Sequence, residues 1–271
     1  MMINIKNLHK KFNTGSINEV YALKDINLEI KEGDFVTVIG TNGSGKSTLL
    51  NGIAGSFLPD RGTVEIAGTN VTMEPDYKRA RFISRCFQDP FKGTSPNMTV
   101  AENLHMAWLR GKKRNLRMGL NKERLASYRE NITQLEMKLE DRLNNIIGSL
   151  SGGQRQALTL LMAVITKPKV LLLDEHTAAL DPKSASQVIE LTKKFIKKDN
   201  LTVLMITHSM QQALELGNIT VMMHRGQIID ILEEKDKKHL TVKDLLDKFS
   251  DLRKSEALTD DMLKMLGNEY R

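Results

Sequence analysis

A single cysteine, Cys86, stands in the 271 residues, which excludes an intramolecular disulfide and a cysteine-based structural zinc site. Long apolar runs are also missing. The longest uncharged apolar stretch near the middle, Ala157 to Thr166, is too short to span a bilayer. The N-terminus, MMINIKNLHKKF, has no apolar core of a secretory signal, so the chain is expected to stay in the cytosol. Aromatic residues make up only 5%, and there is no repeat or low-complexity tract. What is present is ordinary for a globular protein: 40% hydrophobic and 27% charged, enough for a proper core and incompatible with disorder or a collagen-like fold. The formal charge of +7 suits phosphates, nucleic acid or an anionic membrane surface without choosing among them.

Four short apolar runs, Phe35–Ile39, Val170–Leu173, Leu201–Ile206 and Ile219–Met223, have the pattern of strands buried on both faces, each near a helix-like segment. They predict a mainly parallel α/β sheet. Ile3–Ile5, Ala22–Ile30 and Val64–Ile66 alternate apolar with polar residues and predict an antiparallel layer beside it. From about Asn97 to Leu143 helix formers dominate, which predicts a helical lobe. Within it, Arg110 to Arg124 holds seven basic residues and one acid, read as a solvated loop of the lobe. After a strand at Ile228–Ile231, two short amphipathic helices are expected, about Val242–Phe249 and Asp260–Leu266. Trp108 and the 14 methionines read as packing residues, and Cys86 as a buried small hydrophobe.

Gly40-Thr41-Asn42-Gly43-Ser44-Gly45-Lys46-Ser47 fits G-x-x-x-x-G-K-[ST] between an incoming strand and an outgoing helix that opens at Thr48. Glycines let successive N–H groups turn inward around a phosphate, and the helix N-terminus adds its positive dipole end. Lys46 is expected to reach the β and γ phosphates and Ser47 to ligate Mg²⁺. The strand ending Leu173-Asp174-Glu175 supplies Asp174 for the metal and Glu175 to polarise the attacking water.

Between these motifs stands Leu150-Ser151-Gly152-Gly153-Gln154, which resembles the signature of ABC-type ATPases. The resemblance runs from about Ile3 to Ile231 with its motifs in order: Gln88 resembles the Q-loop glutamine, Leu180-Asp181 the D-loop, and His208 the switch histidine. It implies a P-loop NTPase core with an N-terminal antiparallel β layer and an inserted helical subdomain. The ATPase domain is expected over 1–235, the subdomain over about 89–147, and a short helical tail over 236–271.

The resemblance also implies residue roles. Ser151, Gly152, Gly153 and Gln154 are expected to meet the γ-phosphate held by a second copy, so that two ATP molecules join a head-to-tail homodimer. His208 is expected at the γ-phosphate, Gln88 at the γ-phosphate and Mg²⁺, and Asp181 at the dimer seam. An aromatic is expected to stack on adenine, with Phe12 as first choice and Tyr21 as second. Two departures stand out: His176 replaces the proline usual after the catalytic acid, and the helix after the signature keeps Arg155 but lacks the usual second arginine. His176 is expected to alter the pH dependence of turnover.

The implied function is the ATP-hydrolysing subunit of a multi-subunit membrane transporter, held at the inner face of the membrane by permease subunits. Import is expected, of amino-acid-like solutes and with a separate solute-binding protein. DEHTAALDP resembles a group of importer cassettes for aromatic amino acids or similar solutes. The competing reading is a soluble ABC ATPase of DNA repair or translation, acting on nucleic acid or the ribosome. Such proteins usually carry two cassettes or a long coiled-coil insertion, and this sequence has neither, so no nucleic acid partner is expected.

Overall fold

The computed structural model describes residues 1–112 and 119–251. Strands β1 (Ile3–Phe12) and β2 (Val20–Ile30) pair antiparallel, and β4 (Arg61–Ile66) and β5 (Thr69–Asn70) extend this sheet in the order β2-β1-β4-β5. Their alternation buries Ile3, Ile5, Leu8, Ile26, Leu28 and Val64 on one face. The second sheet holds β3 (Phe35–Gly40), β6 (Ile83–Cys86), β7 (Val170–Asp174), β8 (Thr202–Ile206), β9 (Ile219–His224) and β10 (Gln227–Glu233). Its order is β10-β9-β3-β8-β7-β6, parallel throughout except for the β9–β10 hairpin. The expected strands are thus present, those of the parallel core within a residue or two of their predicted bounds, whereas β1 runs on seven residues past the predicted Ile5 and β4 starts three residues before the predicted Val64.

Helix α1 (Lys46–Ala54) lies between the sheets. Leu49, Leu50 and Ile53 are fully buried against Ile5 and Leu8 of one sheet and Val38, Leu172 and Ile206 of the other. Each such side chain contributes roughly 1.5–3 kcal/mol on burial, so the start of α1 is fixed by packing on two sides.

A short helix α2 (Asp76–Arg79) leads into β6, and the lobe contributes α3 (Val100–Trp108) and α4 (Lys122–Thr133). Thr99 caps α3 in a reciprocal box with Glu102. The expectation of helix through to Leu143 is not met. Beyond Thr133 the chain turns, and Glu136 (φ 56) and Lys138 (φ 54) adopt left-handed backbone. Leu135, Leu139 and Leu143 are nonetheless buried, so packing on the core overrides helix propensity there. The reading of 110–124 as solvated loop also fails at its first residue. Arg110 donates to Ser84 Oγ and to the carbonyl of Ala163 (3.3 Å), tying the end of α3 to β6. Residues 113–118 of that stretch lie outside the described residues.

Helix α5 (Gly152–Val164) is buried along most of its length, with Arg155, Gln156 and Thr159 enclosed beside its apolar residues, and joins the lobe to the sheet through Leu158 and Leu161. Helix α6 (Pro182–Asp199) covers the same face through Val188, Leu191 and Phe195. Helix α7 (Met210–Glu215) and a helix over 242–251 lie on a third cluster, with Leu245 and Phe249 buried against Ile39, Met222 and Leu232, and a short helix α8 (Glu234–Lys237) follows β10. The second tail helix expected at Asp260–Leu266 lies outside the described residues.

Candidate functional site

The glycine-rich loop leaves β3 at Gly40 and enters α1 at Lys46. Gly45 has φ 98, and a side chain there would press on the Ala22 carbonyl at 2.6 Å, so only glycine fits. The loop is tied to the β9–β10 turn by the Gly226 N–H donating to Ser44 O (3.0 Å). Lys46 is buried and folds back over the loop, its Nζ donating to Gly40 O (2.9 Å) and Thr41 O (3.0 Å). Burial holds its pKa below the ordinary lysine value, partly offset by the nearby carboxylates Glu175 and Asp174. Ser44 Oγ is buried without a hydrogen-bond partner. Asn42, Gly43 and Ser47 are exposed, and Thr48 is half-buried.

Asp174 ends β7 and is paired with Arg85 Nη2 at 2.8 Å. Glu175 follows with left-handed backbone (φ 47), its N–H donating to Ile206 O (3.1 Å). Its carboxylate meets His208 Nε2 at 2.6 Å; Glu175 is 11% exposed and His208 50%. His208 lies between the end of β8 and Ser209, the N-cap of α7. The sequence predicted Lys46, Asp174, Glu175 and His208 separately, and the sheet order β3-β8-β7 brings them to one edge.

These donors fit a triphosphate and a hard cation. An ammonium, a helix N-terminus and an unpartnered hydroxyl face the loop. The oxygen donors Ser47 and Asp174 suit Mg²⁺, which is commonly held by one or two carboxylates together with substrate phosphates.

The other predicted residues lie apart from this cluster. Ser151 caps α5 in a reciprocal box with Gln154: its Oγ accepts from the Gln154 N–H (3.3 Å), which leaves the hydroxyl proton free to donate outward. Ser151 and Gly152 are exposed, whereas Gly153 is buried, and a side chain there would strike Ser184 Oγ at 2.6 Å. Asp181 is exposed and caps α6, and its hydrogen bonds from Ser184 hold its pKa below the usual value. Gln88 is exposed just beyond β6. Phe12 meets Phe57 edge-on at 5.4 Å between ring centres. Tyr21 hydrogen-bonds His9 Nδ1, and its neighbour Ala22 is the residue that packs on Gly45.

Sequence reasoning missed three residues. Arg85 bridges Asp174 and Asn51, and Gln156 on α5 donates to the Phe87 carbonyl (3.3 Å) just before Gln88. The available signal was an arginine inside a four-residue buried strand, a placement that demands a partner.

His176 does not reach the site. It is buried, and its ring hydrogen-bonds Thr192 Oγ1 (3.0 Å), whose own proton goes to Val188 O (2.8 Å), so Nε2 carries the hydrogen. Burial pushes its pKa down to about 4, so it is neutral at the pH of turnover and the expected effect on turnover does not arise. Stability is affected instead. The unfolded chain takes up a proton near the ordinary histidine pKa of about 6.5, whereas the folded chain does so only near 4. The contribution is therefore complete above about pH 6.5 and falls by up to roughly 3 kcal/mol as the pH drops to 4. Urea midpoints taken from pH 7 to 4.5 are expected to fall less steeply for His176→Leu than for the parent chain; identical slopes would contradict this.

Comparisons with known proteins agree with this geometry. The family described as ABC transporter matches residues 23–178. The tyrosine transport ATP-binding protein of Clostridioides difficile (strain R20291) is 43% identical over 250 residues, covering 92% of this chain and 98% of that protein. The methionine import ATP-binding protein MetN 2 of Enterococcus faecalis (strain ATCC 700802 / V583) is 32% identical over 84% of this chain, which spans 64% of that longer relative. Among solved structures, a dimeric bacterial ABC transporter cassette superposes with a TM-score of 0.74 at 32% identity, covering 86% of this chain and 99% of that one. A dimeric post-hydrolysis state of an ATP-binding cassette bound to ADP and Pi gives 0.73, with the same identity and coverage. The chain belongs to the ABC transporter family: it is an importer-like ATP-binding cassette, and an ATPase.

Proposed function

We propose that this ATPase is the energy-coupling subunit of a multi-subunit importer, working as a head-to-tail pair of copies beneath separate permease subunits. The near end-to-end likeness to a tyrosine transport ATP-binding protein carries this reading and supports an amino-acid-like solute. A separate solute-binding protein is proposed to deliver it. No helix among the described residues is long and apolar enough to cross a membrane.

The chain's own residues divide the work. The Gly40–Thr48 loop holds the phosphates, with Lys46 at the β and γ groups, and Phe12 or Tyr21 stacks on adenine. Ser47, Asp174 and Gln88 hold Mg²⁺, which neutralises charge on the phosphates when bound. Glu175 accepts a proton from the attacking water, while His208, against its carboxylate, orients that acid and reaches the γ-phosphate. The exposed end of α5 offers the Ser151 hydroxyl and free N–H groups to the γ-phosphate of the other copy, with Asp181 at the seam. Two of the solved cassettes that resemble this chain are dimeric, which supports the pairing.

A cleft of about 800 Å³ between the core and the lobe, with Tyr77 and Met106 exposed and Lys78 and Lys92 on its walls, is the proposed seat of the permease. Affinity purification from detergent-solubilised membranes is expected to bring down an integral membrane protein. Recovery of ribosomes or nucleic acid instead, lost at high salt, would favour the soluble alternative.

A further inference from the structure

Arg85 is the one charged side chain of β6, and its guanidinium joins three parts of the nucleotide site. Nη2 donates to Asp174 Oδ2 at 2.8 Å, and Nη1 donates to Asn51 Oδ1 on α1 at 2.6 Å. The group also lies 4.6 Å from the centre of the Phe87 ring, next to Gln88. The side chains of Arg85 and Asp174 are each only 16% exposed, and Arg85 Nε is buried with no partner. A guanidinium this enclosed is retained only if its charge is matched, and the carboxylate that matches it is the one assigned to the metal. With Lys46 and Glu175 the site holds two cations and two anions, so it is balanced before any ligand enters.

We propose that Arg85 is a positioning residue for Asp174, a built-in counter-cation that fixes the carboxylate and weakens its hold on Mg²⁺, so that metal enters with nucleotide rather than ahead of it. A dication arriving at Asp174 is repelled by a guanidinium already bound to the same carboxylate, and only the phosphates of a bound nucleotide offset that repulsion. One carboxylate oxygen stays engaged by Arg85, which leaves the other directed at the metal's coordination shell. A salt bridge serving the fold alone would hold the strand in place without setting the metal dependence of nucleotide binding.

This inference rests on Asp174 being the metal carboxylate, and the test separates the two. Binding of a fluorescent ADP analogue to the full chain is titrated with Mg²⁺ for the parent, Arg85→Gln, Arg85→Lys and Asp174→Asn. Glutamine keeps an N–H donor but loses the charge, and lysine keeps the charge. Arg85→Gln is expected to lower the half-saturating Mg²⁺ concentration about tenfold, with metal-free ADP affinity within about twofold of the parent. Arg85→Lys is expected to stay within about threefold of the parent in Mg²⁺ dependence. An unchanged or raised Mg²⁺ requirement in Arg85→Gln, or equal behaviour of the glutamine and lysine variants, overturns the proposal. Arg85→Met gives the same reading should the glutamine variant fail to fold. If Asp174→Asn leaves the Mg²⁺ dependence unaltered, the metal assignment itself fails. If Asp174→Asn weakens metal binding while Arg85→Gln does not strengthen it, only the role of Arg85 falls.

Discussion

Glu175→Gln is expected to cut ATP turnover by about a thousandfold while ATP stays bound, the middle of the range for removal of a general base. The substitution is isosteric, so the loop that places it survives: the backbone at φ 47 and the N–H bond to Ile206 O do not involve the carboxylate. What is lost is a charge 2.6 Å from His208 Nε2 and close enough to Lys46 to influence its proton affinity. Removing a negative charge beside the triphosphate also lessens repulsion, so ATP affinity is expected to hold or rise. With the γ-phosphate uncleaved, the proposed bridge between copies persists, and light scattering with ATP and Mg²⁺ is expected to report a dimer. Adding Ser151→Arg places a bulky cation at the exposed α5 terminus and is expected to return the chain to monomer with ATP still bound. A Glu175→Gln chain that is monomeric with ATP and Mg²⁺ would refute the shared-nucleotide pairing, and one that hydrolyses at the parent rate would refute the role of Glu175.

The parts of this site that were legible in the sequence are those whose chemistry needs neighbouring residues. A phosphate cradle needs glycines, a lysine and a helix start within one turn, and Gly40–Ser47 provides them in order. A metal carboxylate at the end of a buried strand shows as Leu173-Asp174, and strands buried on both faces show as continuous apolar runs. Arg85 had no such local signature, because its partners lie 34 and 89 residues away in the chain. His176 misled for a related reason: a histidine beside a catalytic acid reads as chemistry until its ring is found sealed against Thr192. The lobe was over-read as helix because KLEDRL has helical composition, whereas the buried Leu135, Leu139 and Leu143 are placed by turns through Glu136 and Lys138. Phe12 and Tyr21 sit in the antiparallel layer, where an aromatic that stacks on a ligand and one that merely packs have the same sequence pattern.

Lys46→Ala is expected to weaken ATP binding about a hundredfold, the loss of close to 3 kcal/mol for one charge-assisted contact to phosphate. The ammonium is positioned for this before nucleotide arrives. It is buried, held by two carbonyls of its own loop, and kept protonated against its desolvation by Glu175 and Asp174. In the ligand-free chain its removal has opposing effects. It relieves the burial of a cation but strands the carbonyls of Gly40 and Thr41 and leaves the two carboxylates less compensated. The melting temperature without nucleotide is therefore expected to move by only a few degrees. The readout with the larger change is the rise in melting temperature on adding ATP, which follows the ratio of ligand concentration to Kd. At an ATP concentration a hundred times the parent Kd, the parent gains about 2.7 kcal/mol and the variant only about 0.4 kcal/mol, so most of the shift disappears. If the variant kept the parent's ATP-dependent shift, the phosphates would not lie under Lys46, and the assignment of the Gly40–Thr48 loop as the cradle would fail with it.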